Sequence, residues 1–221
     1  MDFFFFDLED LPYLLITLAI AFSVHEFSHA YVAYKFGDPT AKDQGRLTLS
    51  PFAHLDLFGT IMILIAGFGW ARPVPVNRFY FKKPRLSGIL VSAAGPLSNL
   101  FLAAMGFVLW YSMIVTGLEE TLSAAVSDIL YQFLNTFIYL NVILFVFNLL
   151  PFPPLDGYRI VEDLSPPDIR AKLTQYESFG IIIFLFLIIT PLYRYTIQPI
   201  FNRVIPAVTG FLDGMFSAVF F

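Results

Sequence analysis

The chain has 221 residues, of which 57% are hydrophobic and 14% charged; this composition excludes an ordinary soluble domain and predicts a membrane protein. Its 13 Lys and Arg against 17 Asp and Glu give a net charge of -4, which excludes a basic surface for nucleic acid. Because the chain has no Cys, disulfides, thiolate metal sites and cysteine nucleophiles are excluded, and any metal must bind to His and carboxylate groups.

The acidic N-terminal tail, residues 1–10, carries no Lys or Arg, unlike a signal peptide, so we interpret it as mature protein. Beyond it, runs of about 20 apolar residues, the length that crosses a bilayer, predict four membrane helices: residues 11–36, 86–115, 129–150 and 179–195. Residues 57–68 are too short, and residues 201–221 are interrupted by Pro206, Gly210 and Asp213, so both are ambiguous. We expect an all-α polytopic membrane protein with about four to six membrane segments. Its 1–221 span reads as one membrane-embedded domain.

Lys and Arg are distributed unevenly among the connections, and cytoplasmic loops are the ones that retain them. Residues 35–85 contain eight and residues 156–172 contain three, whereas the tail and the loop 116–128 contain none. The N-terminus is therefore expected outside. This orientation requires residues 47–70 to enter and leave on the cytoplasmic side, so we predict a re-entrant, partly extended segment near residues 45–80, with 47–50 and 73–76 extended.

The first predicted helix contains His25-Glu26-Phe27-Ser28-His29, an H-E-x-x-H pattern. Residues four apart share a helix face, so both imidazoles can reach one zinc, and Glu26 can reach a metal-bound water as general base. The alternative is a pair of core histidines hydrogen-bonded between helices, or a proton relay. Three ionisable side chains in one turn within a bilayer are costly and typical of a functional site, so we favour the metal site.

A catalytic zinc usually has three protein ligands, so a third ligand is expected far along the chain. The candidate is Asp156, which follows a helix broken by Pro151, Pro153 and Pro154, with Gly157 permitting a turn after it. Its helix and the His25 helix both run inward, so Asp156 and His29 should converge in the cytoplasmic third of the membrane. The alternative is that Asp156 forms an Asx-turn or a helix cap.

Together, the H-E-x-x-H motif and Leu155-Asp156-Gly157 resemble the site-2 protease family of zinc intramembrane metalloproteases. Residues 45–56 (GRLTLSPFAHLD), 68–77 (FGWARPVPVN) and 94–99 (AGPLSN) resemble its compact prokaryotic branch, so the similarity covers roughly residues 13–160. The resemblance implies one Zn2+ per chain bound by His25, His29 and Asp156, with Glu26 activating water. It also implies a transmembrane protein substrate, a prokaryotic cell membrane, and a catalytic core over about residues 11–160, followed by membrane segments over about 177–221. The PDZ and CBS domains of many relatives are not recognised in this sequence.

Three further polar residues are candidates for substrate contacts or for support of the metal ligands. His54 could orient the substrate, stabilise an oxyanion or, with Asp56, hold a zinc ligand, and a structural histidine is the alternative. Asn99 could bind the oxyanion or the substrate backbone, or form an interhelical hydrogen bond. Asn135, Asn141 and Asn148 recur along one helix as polar contacts between helices, and only Asn148 is expected near the site.

The function predicted from these residues is zinc-dependent hydrolysis of a peptide bond in or near a transmembrane helix. The substrate helix must unwind first, and residues 47–50 or 74–76 could pair with it as an added strand. The alternative is a transporter or channel with a His and Asp site for a metal or protons at broken helices. Transport predicts matched interruptions in two halves of the chain and does not require a Glu between the two histidines, so we favour the protease.

Overall fold

The structure, a computed structural model, describes residues 8–66 and 69–221. The expectations for residues 1–7 of the tail and for residues 67–68 at the end of the ambiguous segment 57–68 therefore lie outside the described residues. Within the described ranges the chain forms these α-helices: α1 Leu11–Lys35, α2 Thr40–Asp43, α3 Pro51–His54, α4 Leu57–Ala66, α5 Pro84–Val115, α6 Leu118–Thr121, α7 Ala124–Asn148, α8 Asp156–Leu164, α9 Pro167–Ile189, α10 Tyr193–Thr196 and α11 Gln198–Phe220.

Five helices are long and apolar enough to cross a membrane, namely α1, α5, α7, α9 and α11. The all-α polytopic fold predicted from the sequence is therefore confirmed. The ambiguous residues 201–221 form most of one continuous helix, α11, with Pro206 inside it. Residues 179–195 do not form a helix of their own, because α9 begins at Pro167 and ends before Thr190-Pro191.

Prolines define where several of these helices start and stop. α5 and α9 begin at Pro84 and Pro167, where the missing N–H has no intrahelical partner to lose. α7 ends at Asn148, just before Pro151, because proline excludes helical geometry from the residue that precedes it. The next helix, α8, then starts at Asp156 and places this carboxylate at the broken end of α7.

The core of the fold is an antiparallel bundle of α1, α5 and α7. α5 packs closely on α7, since a Cβ added to Gly106 would lie 2.6 Å from the Ile138 side chain. Further along the same pair, Trp110 and Tyr131 meet edge to face with ring centroids 4.9 Å apart. α5 is the central helix, because α1, α7, α8 and α11 all pack against it.

The direction of α11 follows from its aromatic contacts. Phe201, near its start, lies 6.3 Å from Phe147 at the end of α7, whereas Phe220, near its end, stacks 5.8 Å from Tyr111 near the end of α5. α11 thus runs parallel to α5 and antiparallel to α7. It begins at the end of the bundle where α7 finishes, so the intervening chain, including α9, starts and finishes at that one end.

The predicted re-entrant segment has its two ends together. The guanidinium of Arg46 donates a hydrogen bond to the carbonyl of Arg72 at 2.6 Å, and the Arg72 N–H donates to the carbonyl of His54 at 2.7 Å. Its extended part is smaller than a strand: pairing within the described residues is a single antiparallel bridge between Leu55 and Ala71. Helices α3 and α4 occupy the middle, and residues 72–77 are non-helical.

Candidate metal centre

Three predicted ligands from two distant parts of the chain meet at one point. His25 and His29 project from one face of α1, and Asp156 is the first residue of α8. The Nε2 atom of His25 lies 3.2 Å from Asp156 Oδ2, that of His29 lies 3.3 Å from Asp156 Oδ1, and the two Nε2 atoms are 3.0 Å apart. Both histidines are buried, so these atoms form a compact group shielded from bulk solvent.

Hydrogen bonds on the far side of each ring fix which nitrogen carries the proton. His25 Nδ1 lies 2.7 Å from the Asn99 side-chain oxygen, and His29 Nδ1 lies 2.7 Å from the main-chain carbonyl of Val91. Both partners are acceptors, so each Nδ1 must donate, which leaves the lone pair of each neutral ring on Nε2. The two lone pairs therefore face each other and Asp156.

This arrangement fits a tetrahedral divalent cation. Two acceptor nitrogens 3.0 Å apart beside a carboxylate repel one another unless a cation lies between them. Zinc bonds of about 2.0 to 2.1 Å in a tetrahedron place ligand atoms about 3.3 Å from each other. The three observed separations, 3.0, 3.2 and 3.3 Å, match that spacing.

Glu26 is held beside this group by the main chain. Its Oε2 accepts a hydrogen bond of 2.8 Å from the N–H of Val74, in the non-helical stretch 72–77 of the predicted re-entrant segment. The carboxylate is buried and lines the same cavity as His25 and His29. It is therefore oriented toward the metal group without any contact that marks it as a ligand.

Gly95 leaves the space that the two imidazoles occupy. A Cβ built on this residue would lie 2.3 Å from His29 Nε2 and 2.5 Å from His25 Nε2. α5 therefore approaches the Nε2 atoms of the candidate metal centre closely at this residue.

A cavity of about 760 Å³ opens in front of these residues. Its walls come from α1, α5, α7, α9 and the 69–76 stretch, and they include Trp70, Val76, Phe147, Asn148 and Phe184. The walls are mainly apolar and also include Glu26 and Asp156, so the space suits an apolar polypeptide segment together with water.

The structure places the remaining sequence-predicted residues at different distances from this centre. Asn99 contacts His25 directly, and Asn148 lines the cavity while its amide donates to the Leu144 carbonyl of its own helix. His54 has no described contact with the ligands: it is fully buried, and its Nε2 lies 2.7 Å from the carbonyl of Thr48. The Asp56 carboxylate accepts a hydrogen bond from the Gly59 N–H at 2.8 Å and so caps the start of α4. It has no described contact with His25, His29 or Asp156.

Sequence reasoning missed several groups that orient the site. The Val91 carbonyl and the Val74 N–H are main-chain atoms, which no side-chain motif can reveal. Asn141 was expected only as a contact between helices, but its side-chain oxygen accepts from the Asn99 amide at 3.1 Å. The recurrence of Asn along α7 was the available signal for it.

Comparisons with known proteins bear on what this centre does. A model of the family described as Peptidase family M50 matches residues 112–190, a stretch that includes Asp156. The chain is 59% identical over 218 residues to "Putative zinc metalloprotease YwhC" of Bacillus subtilis (strain 168), covering 99% of this chain and 97% of that protein. No solved structure matches the chain.

More distant relatives are mycobacterial. Identity is 31% over 173 residues to "Putative zinc metalloprotease Rip2" of Mycolicibacterium smegmatis, covering 76% of this chain and 63% of that protein. It is 32% over 178 residues to the protein of the same name from Mycobacterium tuberculosis (strain H37Rv), covering 78% and 64%. The matched stretch thus spans a little under two thirds of the two Rip2 proteins.

Proposed function

The chain belongs to peptidase family M50, and we propose that it is a zinc-dependent intramembrane endopeptidase that hydrolyses a peptide bond in or near a transmembrane helix of a membrane protein. The observation that carries the proposal is the convergence of His25 Nε2, His29 Nε2 and the Asp156 carboxylate beside Glu26. The relatives are named as zinc metalloproteases, and none is named as a transporter or channel, the alternative class.

The proposed ligands of one zinc are His25, His29 and Asp156. When bound, zinc supplies a Lewis acid that acidifies a water molecule and polarises a carbonyl. Asn99 and the Val91 carbonyl hold the two imidazoles in the tautomer that presents Nε2 to the metal. The imidazoles are thus oriented before the metal binds, so metal binding costs little side-chain conformational entropy.

Glu26 acts as general base and then as general acid. Its carboxylate takes a proton from the attacking water and returns it to the nitrogen of the cleaved peptide bond. The Val74 N–H holds one carboxylate oxygen, which leaves the other directed to the reacting atoms. Asn148, on the cavity wall, is placed to donate a hydrogen bond to the substrate.

The substrate enters the apolar cavity as an unwound stretch of a membrane helix. Helical carbonyls are already hydrogen-bonded, so an unwound segment needs replacement partners. The main chain of the 72–77 segment provides them, because its residues Pro73, Val74 and Val76 line the cavity. The active site lies toward the cytoplasmic face, where the basic loops of the chain are expected.

The direct test uses purified enzyme in liposomes with a single-span protein substrate. Wild type is expected to contain one zinc and to cleave; Glu26→Gln is expected to keep the zinc and lose cleavage, since Glu26 is a base and not a ligand. Glu120→Gln, the same substitution at a residue outside the centre, is the matched control and should cleave like wild type. Turnover by Glu26→Gln would reject the assigned role.

A further inference from the structure

Arg46 is a buried cation that forms no ion pair within the described residues. Its residue is 6% exposed, and no carboxylate of the described residues lies within 4.0 Å of its guanidinium. Removing a charge from water is costly unless it is compensated, and in a membrane protein such a residue is typically functional. In the sequence, Arg46 was notable only for its position in a stretch that resembles the compact prokaryotic branch.

The guanidinium instead donates hydrogen bonds to two successive main-chain carbonyls. Nη1 donates to the carbonyl of Pro73 at 3.2 Å, and Nη2 donates to that of Arg72 at 2.6 Å. Nη2 also lies 3.5 Å from Nδ1 of His54, a long contact between the guanidinium and the imidazole. The fixed fork of Arg suits this task, because one planar group reaches two acceptors at once.

The 72–77 segment is tied at two further points. The Val74 N–H donates to Glu26, and the Asn77 N–H donates to the Oδ2 atom of Asp38 at 2.6 Å. Asp38 is fully buried, so this second anchor is also inside the protein. Arg46 and Asp38 therefore hold the two ends of the segment, with Val74 between them against the general base.

Some main-chain polar groups of the 72–77 segment take no part in these hydrogen bonds. Pro75 has no N–H, and among the described contacts the carbonyl of Val74 and the N–H of Val76 have no hydrogen-bond partner. Both residues line the metal cavity. Unpaired main-chain groups beside an apolar cavity are costly, and a peptide that pairs with them would satisfy them.

Resting on the proposed protease function, we propose that Arg46 is a positioning residue for the substrate. Its hydrogen bonds to the carbonyls of Arg72 and Pro73 fix the position of the 72–77 segment. The Val74 carbonyl and the Val76 N–H are thereby held where an unwound substrate can pair with them beside the metal centre. His54 contacts the Arg46 guanidinium, so it affects the substrate only through Arg46 and the 72–77 segment. It is not a metal ligand.

The test measures substrate position without needing cleavage. Because the chain has no Cys, a single Val76→Cys substitution gives a unique thiol. In a Glu26→Gln background, this thiol is oxidised against single cysteines placed at successive positions of a transmembrane substrate. Pairing in a strand predicts disulfides at every second substrate position. The substrate dissociation constant and the zinc content are measured on the same preparations.

Arg46→Met is expected to keep zinc, lose the alternating pattern and raise the dissociation constant up to about tenfold, the loss expected for one main-chain hydrogen bond between the displaced segment and the substrate. Arg46→Lys keeps the charge without the fork and should give a smaller rise. It serves as the second variant if Arg46→Met does not fold. Arg85→Met, at an exposed arginine with no described ion pair, is the matched control and should behave like its parent.

Two outcomes would overturn the proposal. One is an alternating pattern and an affinity in Arg46→Met or Arg46→Lys that equal those of Arg85→Met. The other is the absence of alternation when Arg46 is intact, since the segment would then not pair with substrate. A failure of the protease function itself is seen separately, as zinc-loaded Val76→Cys enzyme with Glu26 intact that binds and cross-links the substrate but does not cut it.

Discussion

At the scale of single residues, the proposed metal ligands are oriented by the atoms that surround them. The spacing of His25, Glu26 and His29 is local, so a helix was enough to predict that they share a face. Asp156 was predicted from the broken helix before it, and the structure brings it to the two histidines. Gly95, Asn141 and the Val74 N–H could not be predicted, because their roles depend on how α1, α5 and residues 72–77 meet in space.

Gly95→Ala should remove the metal while leaving the helix intact. Alanine favours a helix over glycine by about 1 kcal/mol, so α5 itself gains stability. The new methyl group, however, would lie 2.3 Å from His29 Nε2 and must displace the imidazole. We expect zinc content to fall strongly, as measured by elemental analysis of the purified protein.

The control for Gly95→Ala is Gly210→Ala, where an added Cβ meets no atom within 4 Å. This variant should bind zinc like wild type. Full zinc occupancy in Gly95→Ala would mean that the histidines are not confined as described.

Asn99 and Asn141 should act on zinc affinity as one unit. Asn141 Oδ1 accepts from the Asn99 amide, which fixes the Asn99 oxygen toward His25. Loss of a group that orients a metal ligand typically weakens binding about 10- to 100-fold, which we expect for Asn99→Ala. Asn141→Leu should weaken it less.

The Asn99→Ala, Asn141→Leu double variant should bind zinc no more weakly than Asn99→Ala alone, as measured by competition with a chelator. Additive losses in this cycle would instead make Asn141 an independent contact between α5 and α7.

At the scale of elements, α8 carries Asp156 and is fixed by ion pairs away from the metal. Asp163 is fully buried and pairs with Arg78 and, at 3.2 Å, with Arg170 of α9. Arg159 contacts Glu162 at 3.2 Å and also pairs with Glu177 of α9. These contacts hold α8 on α9, so the position of Asp156 depends on ion pairs whose partners could not be predicted from the sequence.

Stability should fall on acidification through Glu162. Burial opposes ionisation of this carboxyl, but the Thr174 hydroxyl and Arg159 lower its pKa below the ordinary value. A group whose folded pKa is lowered contributes stability above its unfolded pKa, about 4.3, and loses that contribution as the pH falls through the folded pKa. The difference in melting temperature between wild type and Glu162→Gln should therefore be largest near neutral pH and shrink below about pH 4.

The control for this titration is Glu120→Gln, which changes an exposed carboxyl outside the α8 and α9 contact. Its melting temperature should follow wild type at every pH. A difference between wild type and Glu162→Gln that is the same at all pH values would show that Glu162 does not titrate as described.

At the scale of the whole molecule, the order of crossings is set by the direction of α11. α1, α5 and α7 alternate, and α11 runs parallel to α5, so the chain that connects α7 to α11, with α9 in it, returns to the end of the bundle where α7 finishes. Sequence analysis predicted a membrane helix at residues 179–195, and α9 is among the helices long and apolar enough to cross. Length and composition carry no information on helix direction, so the path of this connection could not be predicted from them.

Cysteine labelling should detect this topology. In the topology that we propose, residues 47–70 and the connection between α7 and α11 both return to the cytoplasmic side, so single cysteines at Lys42, Lys82 and Tyr195 should all react from that side. Cysteines at Glu120 and Phe221 should react from the opposite side. Labelling of Lys42 and Lys82 from opposite sides would show that residues 47–70 cross, and labelling of Phe221 from the cytoplasmic side would show that α9 does.

The central claim is that His25, His29, Asp156 and Glu26 hydrolyse a peptide bond within the membrane. The most direct measurement is mass spectrometry of the products formed from a single-span substrate in liposomes, in water labelled with heavy oxygen. The account predicts one labelled oxygen in the new carboxyl terminus, a cut in or next to the apolar span, and no product with Glu26→Gln. A cut confined to a soluble region of the substrate, or the same product from Glu26→Gln, would contradict it.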